Sequence, residues 1–175
     1  TSDHGYHMGE HGHYQKTTLF ENAARVPLIM AGPGVTATGT TTKSFAEMVD
    51  FYPTLAELSG LKAPEFLAGV SLASALRDPS ATPRTSAFTQ YDSGYSLRTD
   101  RYRYTEWGDD GKLGIELYDH SNDANEMKNL ATSDAHRETI AELSGQLRKR
   151  ITQHRIPPKG LKQNTYDNKR RVPQR

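Results

Sequence analysis

The residues most able to do chemistry are concentrated at the start of this sequence, in the stretch TSDHGYHMGEHGHYQK. Four of the seven histidines lie within the first thirteen residues, near the carboxylates of Asp3 and Glu10 and interleaved with three glycines. A carboxylate suits a hard cation, an imidazole can bind a softer metal or an anion, and glycine permits sharp turns or the close approach of a ligand. The stretch is therefore a candidate metal or oxyanion site.

The spacing of these groups does not by itself identify a ligand. Asp3 and His4, followed by the later histidines, match none of the zinc signatures such as H-E-x-x-H, and histidines in loops are often only exposed to solvent. The sequence has no cysteine, which excludes disulfides, cysteine-ligated zinc and a cysteine nucleophile within the chain. Local chemistry leaves two interpretations open, a ligand site and an ordinary exposed loop.

Composition narrows the class of protein. The 175 residues are 34% hydrophobic and 25% charged, as in a globular protein, and the net charge of +1 does not favour nucleic acid as a partner. No apolar run approaches the roughly 20 residues of a membrane span, and the sequence shows no signal-peptide pattern. We therefore expect no nucleic-acid partner and no membrane span.

Several short elements must position the opening stretch. Residues 25–32 form an apolar run that ends in a Pro-Gly turn, which is typical of a buried strand. Residues 50–60 predict a helix with Asp50 as its N-cap and Gly60 as its end. Residues 63–84 are punctuated by proline and glycine, and they predict a connector with a short helical piece.

After the connector the pattern changes to short strands. GDDG at 108–111 predicts a tight hairpin turn, and apolar residues at spacings of three and four predict an amphipathic helix over 133–151 that covers one face of the sheet. Tyr102, Tyr104 and Trp107 are predicted to share a buried face of that sheet. Alternation or strand-like composition predicts an antiparallel meander of four strands, at 85–91, 94–100, 101–107 and 114–120.

The order of the motifs in residues 2–29 is more informative about the class of protein than the spacing of single residues. S-D-H-G leads into G-E-H-G, an aromatic residue, a lysine, and then T-L-F-E and R-V-P-L-I. This order resembles that of type I sulfatases of the alkaline-phosphatase-like superfamily, particularly the iduronate-2-sulfatase-like branch. The departures are small, since Tyr14 stands where tryptophan is common and Ala124 where proline is common. Three later stretches resemble the family in the expected order: MVDFYPTLAELSGL, LRTDRYRYTEW and ELYDHSNDANEMKNLA.

The resemblance implies an α/β fold of the alkaline-phosphatase-like sulfatase type. This chain would contribute the last strand and helix of the large α/β domain, followed by a C-terminal α+β subdomain in which a small antiparallel sheet packs with one helix. We predict four parts: the C-terminal portion of the catalytic domain with its metal loop at 1–62, a connector at 63–84, the sheet-and-helix subdomain at 85–155, and a basic extended tail at 156–175.

The resemblance also implies roles for residues of the opening stretch. Asp3 would ligate a metal, usually calcium although magnesium is possible, and His4 would contact the metal, the sulfate or the nucleophile. Lys16 would contact a sulfate oxygen and the bridging oxygen of the leaving group, where an ammonium offsets developing charge; the alternative is an exposed lysine. Three more residues are candidates for substrate contact, with loop packing or a surface ion pair as the alternative: Tyr6, His7 and Arg98.

The nucleophile of the family is a formylglycine made in a C/S-x-P-x-R motif, which this sequence lacks. SATPR at 80–84 is similar only superficially. The resemblance implies that an N-terminal portion of the same sulfatase supplies the formylglycine, and that this chain alone is inactive. The complete enzyme would hydrolyse the sulfate ester of a small molecule or carbohydrate, in a periplasmic, secreted or lysosome-like compartment.

Two other functions stay open. The first is a phosphodiesterase or phosphonate hydrolase of the same superfamily, because a cradle of metal and lysine suits phosphate nearly as well as sulfate. The second is a non-catalytic module that binds a sulfated glycan through the basic tail and the tyrosine-rich strands.

Overall fold

The computed structural model describes residues 1–157, and its most regular part is a four-stranded antiparallel sheet. The strands β1 (Ala87–Tyr91), β2 (Gly94–Arg98), β3 (Tyr102–Trp107) and β4 (Gly114–Asp119) pair in the order in which they follow one another in the chain. The predicted antiparallel meander of four strands is confirmed by this pairing.

The connection between β3 and β4 is longer than the predicted tight turn. It contains a 3₁₀ turn at Asp109–Gly111, and the Leu113 N–H closes it by donating to the Trp107 carbonyl at 2.9 Å. Lys112 still has helical φ and ψ, so strand pairing resumes only at Gly114, opposite Trp107.

One face of the sheet carries the main hydrophobic core. Helix α4 (Arg137–His154) packs across it, and its Leu143 and Leu147 are only 4% and 0% exposed. Burial of a side chain of this size stabilises the fold by about 1.5–3 kcal/mol. The predicted amphipathic helix is confirmed. Its buried partners on the strands are Leu97, Tyr104 and Leu117.

The opposite face of the sheet is polar and lies against residues 19–21, which closely follow the opening stretch. Leu19 and the Trp107 ring both approach Gly94, where an added Cβ would lie 2.8 Å and 2.6 Å from them. Trp107 therefore lies on this face. Successive side chains of a strand point to opposite faces, and Tyr102 and Tyr104 lie five and three positions before Trp107, so both point to the other face, against α4. The prediction that all three share a face is wrong for Trp107. The buried polar residues here include Ser96, Arg103 and Thr105.

Three short helices precede the sheet. Helix α1 spans Glu21–Ala24, α2 spans Phe51–Leu58, and α3 spans Ala73–Arg77. Helix α2 ends as predicted, with Gly60 at a positive φ of 70°, and α3 is the helical piece expected in the connector. No helix within residues 1–157 is both long enough and apolar enough to cross a membrane.

The side chain of Asp50 does not cap α2, although the sequence predicts that it does. It is fully buried and accepts hydrogen bonds from Arg84, from Nε at 2.8 Å and from a terminal nitrogen at 2.5 Å. It also accepts from the backbone N–H groups of Glu47 and Val70. A bidentate charged pair is stronger than one local capping bond. Arg84 closes the SATPR stretch, and its guanidinium has a structural role.

Residues 25–32 do not form the predicted buried strand. They have no regular secondary structure, Ile29 is 83% exposed, and within residues 1–157 no strand pairs with them. A buried strand needs neighbouring strands for its backbone bonds and covered faces. The apolar run alone therefore does not produce a strand.

Candidate functional site

The opening stretch is a loop that packs backbone against backbone on helix α1. The Gly5 N–H donates to the Ala23 carbonyl at 2.9 Å. A Cβ on Gly5 would lie 1.9 Å from the Asn22 carbonyl oxygen, so only glycine permits this approach. The position of the loop start is therefore tied directly to the position of α1.

Three of the predicted site residues lie together, namely Asp3, His4 and Lys16. Lys16 Nζ lies 2.8 Å from His4 Nε2, and His4 Nε2 lies 3.3 Å from Asp3 Oδ2. The side chain of Asp3 is 83% exposed and Lys16 is also exposed, so both can reach a ligand from solvent. The structure thus groups a carboxylate, an imidazole and an ammonium in one set of contacts.

The hydrogen bonds of His4 assign its tautomer. Nδ1 lies 2.7 Å from the Gly5 carbonyl oxygen, which can only accept, so Nδ1 carries the hydrogen. Nε2 then holds a lone pair, to which the Lys16 ammonium donates. The single lone pair of His4 Nε2 can accept a hydrogen bond from Lys16 or bind a cation, but it cannot do both at once.

The carboxyl group of Asp3 suits a hard cation. The backbone N–H of Asp3 itself has the largest effect on its pKa and lowers it; burial opposes this effect, and the backbone N–H of His4 and the Ser2 hydroxyl lower the pKa again, so the net shift is downward. Asp3 is therefore ionised at neutral pH. It fits as one oxygen ligand of a calcium ion, which takes about six to eight in all.

Tyr6 and His7 are placed differently. Tyr6 is 51% exposed, and its hydroxyl donates to the Tyr14 carbonyl at 2.9 Å. His7 is 0% exposed; its Nε2 lies 2.7 Å from Thr18 Oγ1, and its Nδ1 has no hydrogen-bond partner among the described residues. Burial, and then the charges of neighbouring histidines, lower the pKa of His7. Tyr6 can meet a ligand from solvent, whereas His7 packs inside the loop; substrate contact by either stays a prediction.

Arg98 makes its contacts among a different set of residues. Its side chain is 15% exposed, its Nε lies 3.3 Å from a Glu21 carboxylate oxygen, and a terminal nitrogen lies 2.9 Å from His120 Nδ1. It also donates to the carbonyls of Thr99 and Asp100. The pairing is thus largely buried, unlike the surface ion pair expected as the alternative. Substrate binding by Arg98 stays a prediction.

The sequence did not reveal the buried ion network to which Arg98 belongs. Glu126 is 1% exposed; its Oε1 lies 2.5 Å from Arg103 Nε and 2.8 Å from His120 Nε2, and its Oε2 accepts from the Glu21 backbone N–H at 2.7 Å. Arg103 also contacts the Glu21 carboxylate. The alternation of Arg103 with the tyrosines of β3 was a signal that it faces away from the core, but nothing local identified its partners.

Among residues 1–157, one group of three potential metal ligands lies close together: Glu21, His120 and Glu126. The Arg103 guanidinium contacts both carboxylates and supplies the positive charge that a metal would provide. We therefore interpret the grouping as an ion network and not as a metal centre.

A family model described as the C-terminal part of N-sulphoglucosamine sulphohydrolase matches residues 9–153. The chain belongs to the type I sulfatase family. The matched range includes Lys16, α1 and the ion network, and it begins after Asp3 and His4.

Two curated relatives show how much of a sulfatase this chain represents. Arylsulfatase K of Mus musculus is 33% identical over 145 residues, which is 75% of this chain and 26% of the relative. A sulfatase of Formosa agariphila is 36% identical over 149 residues, which is 85% of this chain and 29% of the relative. The chain thus spans less than a third of the length of either relative.

Two solved structures share the fold of this chain. A structure determined in complex with its substrate D-glucosamine-2-N,6-O-disulfate matches with a TM-score of 0.80 and 26% identity, covering 91% of this chain and 35% of that one. A phosphonate monoester hydrolase from Silicibacter pomeroyi matches with a TM-score of 0.75 and 27% identity, covering 86% and 33%. The predicted alkaline-phosphatase-like sulfatase fold is confirmed.

Proposed function

We propose that this chain is the C-terminal part of a sulfatase that hydrolyses sulfate esters of a sugar or glycan. The contact of Lys16 Nζ with His4 Nε2 beside Asp3, within a chain of the sulfatase family, is the observation that carries the proposal. An ammonium can bind a sulfate oxygen, and a carboxylate can hold the cation that offsets the remaining charge. The solved relative with a sulfated glucosamine as its substrate supports the substrate class.

Lys16 acts on the leaving group in the proposed reaction. Cleavage of the S–O bond places negative charge on the bridging oxygen, and a positioned ammonium stabilises that charge in the transition state. His4 accepts a hydrogen bond from Lys16 Nζ, so the side chain is partly ordered before substrate binds and less freedom is lost on binding.

Asp3 is the residue of this chain that we assign to the family's metal, calcium or magnesium. Its ionised carboxylate is the ligand type that such cations prefer, whereas an imidazole is a poor ligand for them. We therefore assign His4 chiefly to the orientation of Lys16. When bound, the cation would offset the negative charge of the sulfate and of the nucleophile.

The nucleophile is proposed to come from an N-terminal portion of the same sulfatase, which supplies the formylglycine. We predict that the purified chain alone does not hydrolyse an aryl sulfate, because it has no C/S-x-P-x-R motif. A colorimetric assay at high protein concentration tests this, and turnover that co-purifies with the chain would contradict it. The expected compartment, periplasmic, secreted or lysosome-like, stays a prediction.

Asp3→Asn in the complete enzyme is expected to weaken calcium affinity and activity together, roughly 10-fold or more, because the change removes a ligand charge while keeping the shape. Calcium titrations of activity and calorimetric binding measure the two effects. Glu65→Gln is the matched control, since the Glu65 side chain is 90% exposed in a surface pair with Lys62. A wild-type calcium dependence in Asp3→Asn would remove Asp3 from the metal site.

Phosphonate monoester hydrolysis is the second candidate activity, and the match to the Silicibacter pomeroyi enzyme favours it. Sulfate and phosphonate esters are both tetrahedral anions that an ammonium and a cation can hold. Matched aryl sulfate and aryl phosphonate substrates separate the two activities. We expect the larger kcat/KM for the sulfate, and a preference for the phosphonate would reverse the assignment.

The glycan-binding module receives less support. Two tyrosines of its strands are buried and cannot contact a glycan, because Tyr104 and Tyr118 are only 2% and 5% exposed. Most of its other element, the basic tail at 156–175, lies outside the described residues. Binding by that tail stays a prediction.

A further inference from the structure

We propose that Glu126 is a positioning residue, whose carboxylate holds helix α1, and through it the Asp3, His4 and Lys16 cluster, in place against the sheet. The inference rests on the proposed function, because these three residues take part in a reaction only if the complete enzyme is a sulfatase.

The placement of Glu126 is unusually constrained. It is 1% exposed, and its φ of +57° lies in the left-handed region that residues other than glycine seldom adopt. Such a conformation persists only where surrounding contacts over-determine it. Here the contacts are Arg103 and His120 on one carboxylate oxygen and the Glu21 N–H on the other.

Direct contacts lead from Glu126 to the cluster. Glu126 Oε2 accepts from the N–H of Glu21, the first residue of α1, at 2.7 Å. Two residues later in the same helix, the Ala23 carbonyl accepts from the Gly5 N–H at 2.9 Å. Gly5 is covalently next to His4, and His4 holds Lys16 Nζ at 2.8 Å. Because α1 is a single turn, a displacement at Glu21 moves the backbone on which Gly5 rests.

The negative charge of Glu126 is needed for this arrangement. Burial raises the pKa of Glu126, but the hydrogen bond from His120, the charge of Arg103 and the Glu21 N–H outweigh it, so the net pKa is lowered. The ionised group therefore accepts from all three donors. A glutamine has one oxygen and a donating NH₂ group, which would leave either the Glu21 N–H or the Arg103 side without its acceptor.

Glu126→Gln in the complete enzyme tests the proposal, with Glu106→Gln as the matched control. Glu106 is 2% exposed and also binds an arginine, Arg148, but it lies on the opposite face of the sheet. We expect Glu126→Gln to lower kcat per folded molecule roughly 10²-fold with little change in KM, the scale for a misplaced catalytic group. Hydrogen exchange at residues 3–7 and 21–25 should accelerate in that variant only.

Both variants are compared at a temperature where circular dichroism shows them folded. A wild-type kcat in folded Glu126→Gln, or an equal loss in Glu106→Gln, would overturn the positioning role, as would unchanged exchange at residues 3–7. If the wild-type enzyme itself cleaves no sulfate ester, the proposed function fails. The exchange comparison then still decides whether Glu126 anchors the loop.

Discussion

Replacing Lys16 by alanine in the complete enzyme is expected to lower kcat/KM roughly 10²- to 10³-fold, the usual loss for one donor that stabilises transition-state charge. Lys16 is exposed, and its contact among the described residues is His4 Nε2 at 2.8 Å, so folding should hardly change. Lys62→Ala is the matched control, because that side chain is 85% exposed and faces Glu65. Its kcat/KM should stay at the wild-type value.

The loss in Lys16→Ala should also depend on the leaving group. A poorer leaving group carries more negative charge on the bridging oxygen when the S–O bond breaks, so it depends more on the ammonium. Activated aryl sulfates should therefore lose least and sugar sulfates most. An equal loss across the series would assign Lys16 to general sulfate binding, and no loss at all would make it an ordinary surface lysine.

Arg103→Ala is expected to lower the free energy of unfolding of the chain by about 3–5 kcal/mol, the scale for removing one partner of a buried ion pair. Arg103 is 2% exposed, donates to Glu126 at 2.5 Å and contacts Glu21. Its removal leaves both carboxylates without their shared cation. Urea unfolding should show a lower midpoint with an unchanged m-value.

Arg101→Ala provides the matched control for that measurement. Arg101 is two positions away and makes a bidentate pair with Asp119, at 2.9 Å and 2.7 Å, but its side chain is 53% exposed. The Asp119 carboxylate is buried, but it keeps hydrogen bonds from the Ser121 N–H and Asn122 Nδ2, and solvent screens the exposed guanidinium, so the expected loss is smaller, about 1–2 kcal/mol. If Arg101→Ala and Arg103→Ala lower the free energy of unfolding by the same amount, the buried network contributes no more than a half-exposed pair.

The sequence by itself determined the most regular elements of this protein, although it did not determine the backbone at 25–32. The strands β1 to β4 and helix α4 were predictable because an alternation of two and a spacing of three to four are properties of neighbouring residues. Gly60 ended α2 as predicted, since glycine readily takes the positive φ of a helix end. The order of the motifs around Asp3 and Lys16 likewise indicated the sulfatase family before any contact was known.

Only the tertiary structure decided which polar groups meet. Asp50 was predicted as a cap, yet it pairs with Arg84, 34 positions later in the chain. Glu126 and Glu21 meet across 105 positions, a contact that no local pattern specifies. The physical reason is that secondary structure depends on each residue's conformational preference and nearest neighbours, whereas a buried charge needs a partner that strand register and loop docking bring to it. The contacts that hold the candidate site against the sheet belong to this second kind.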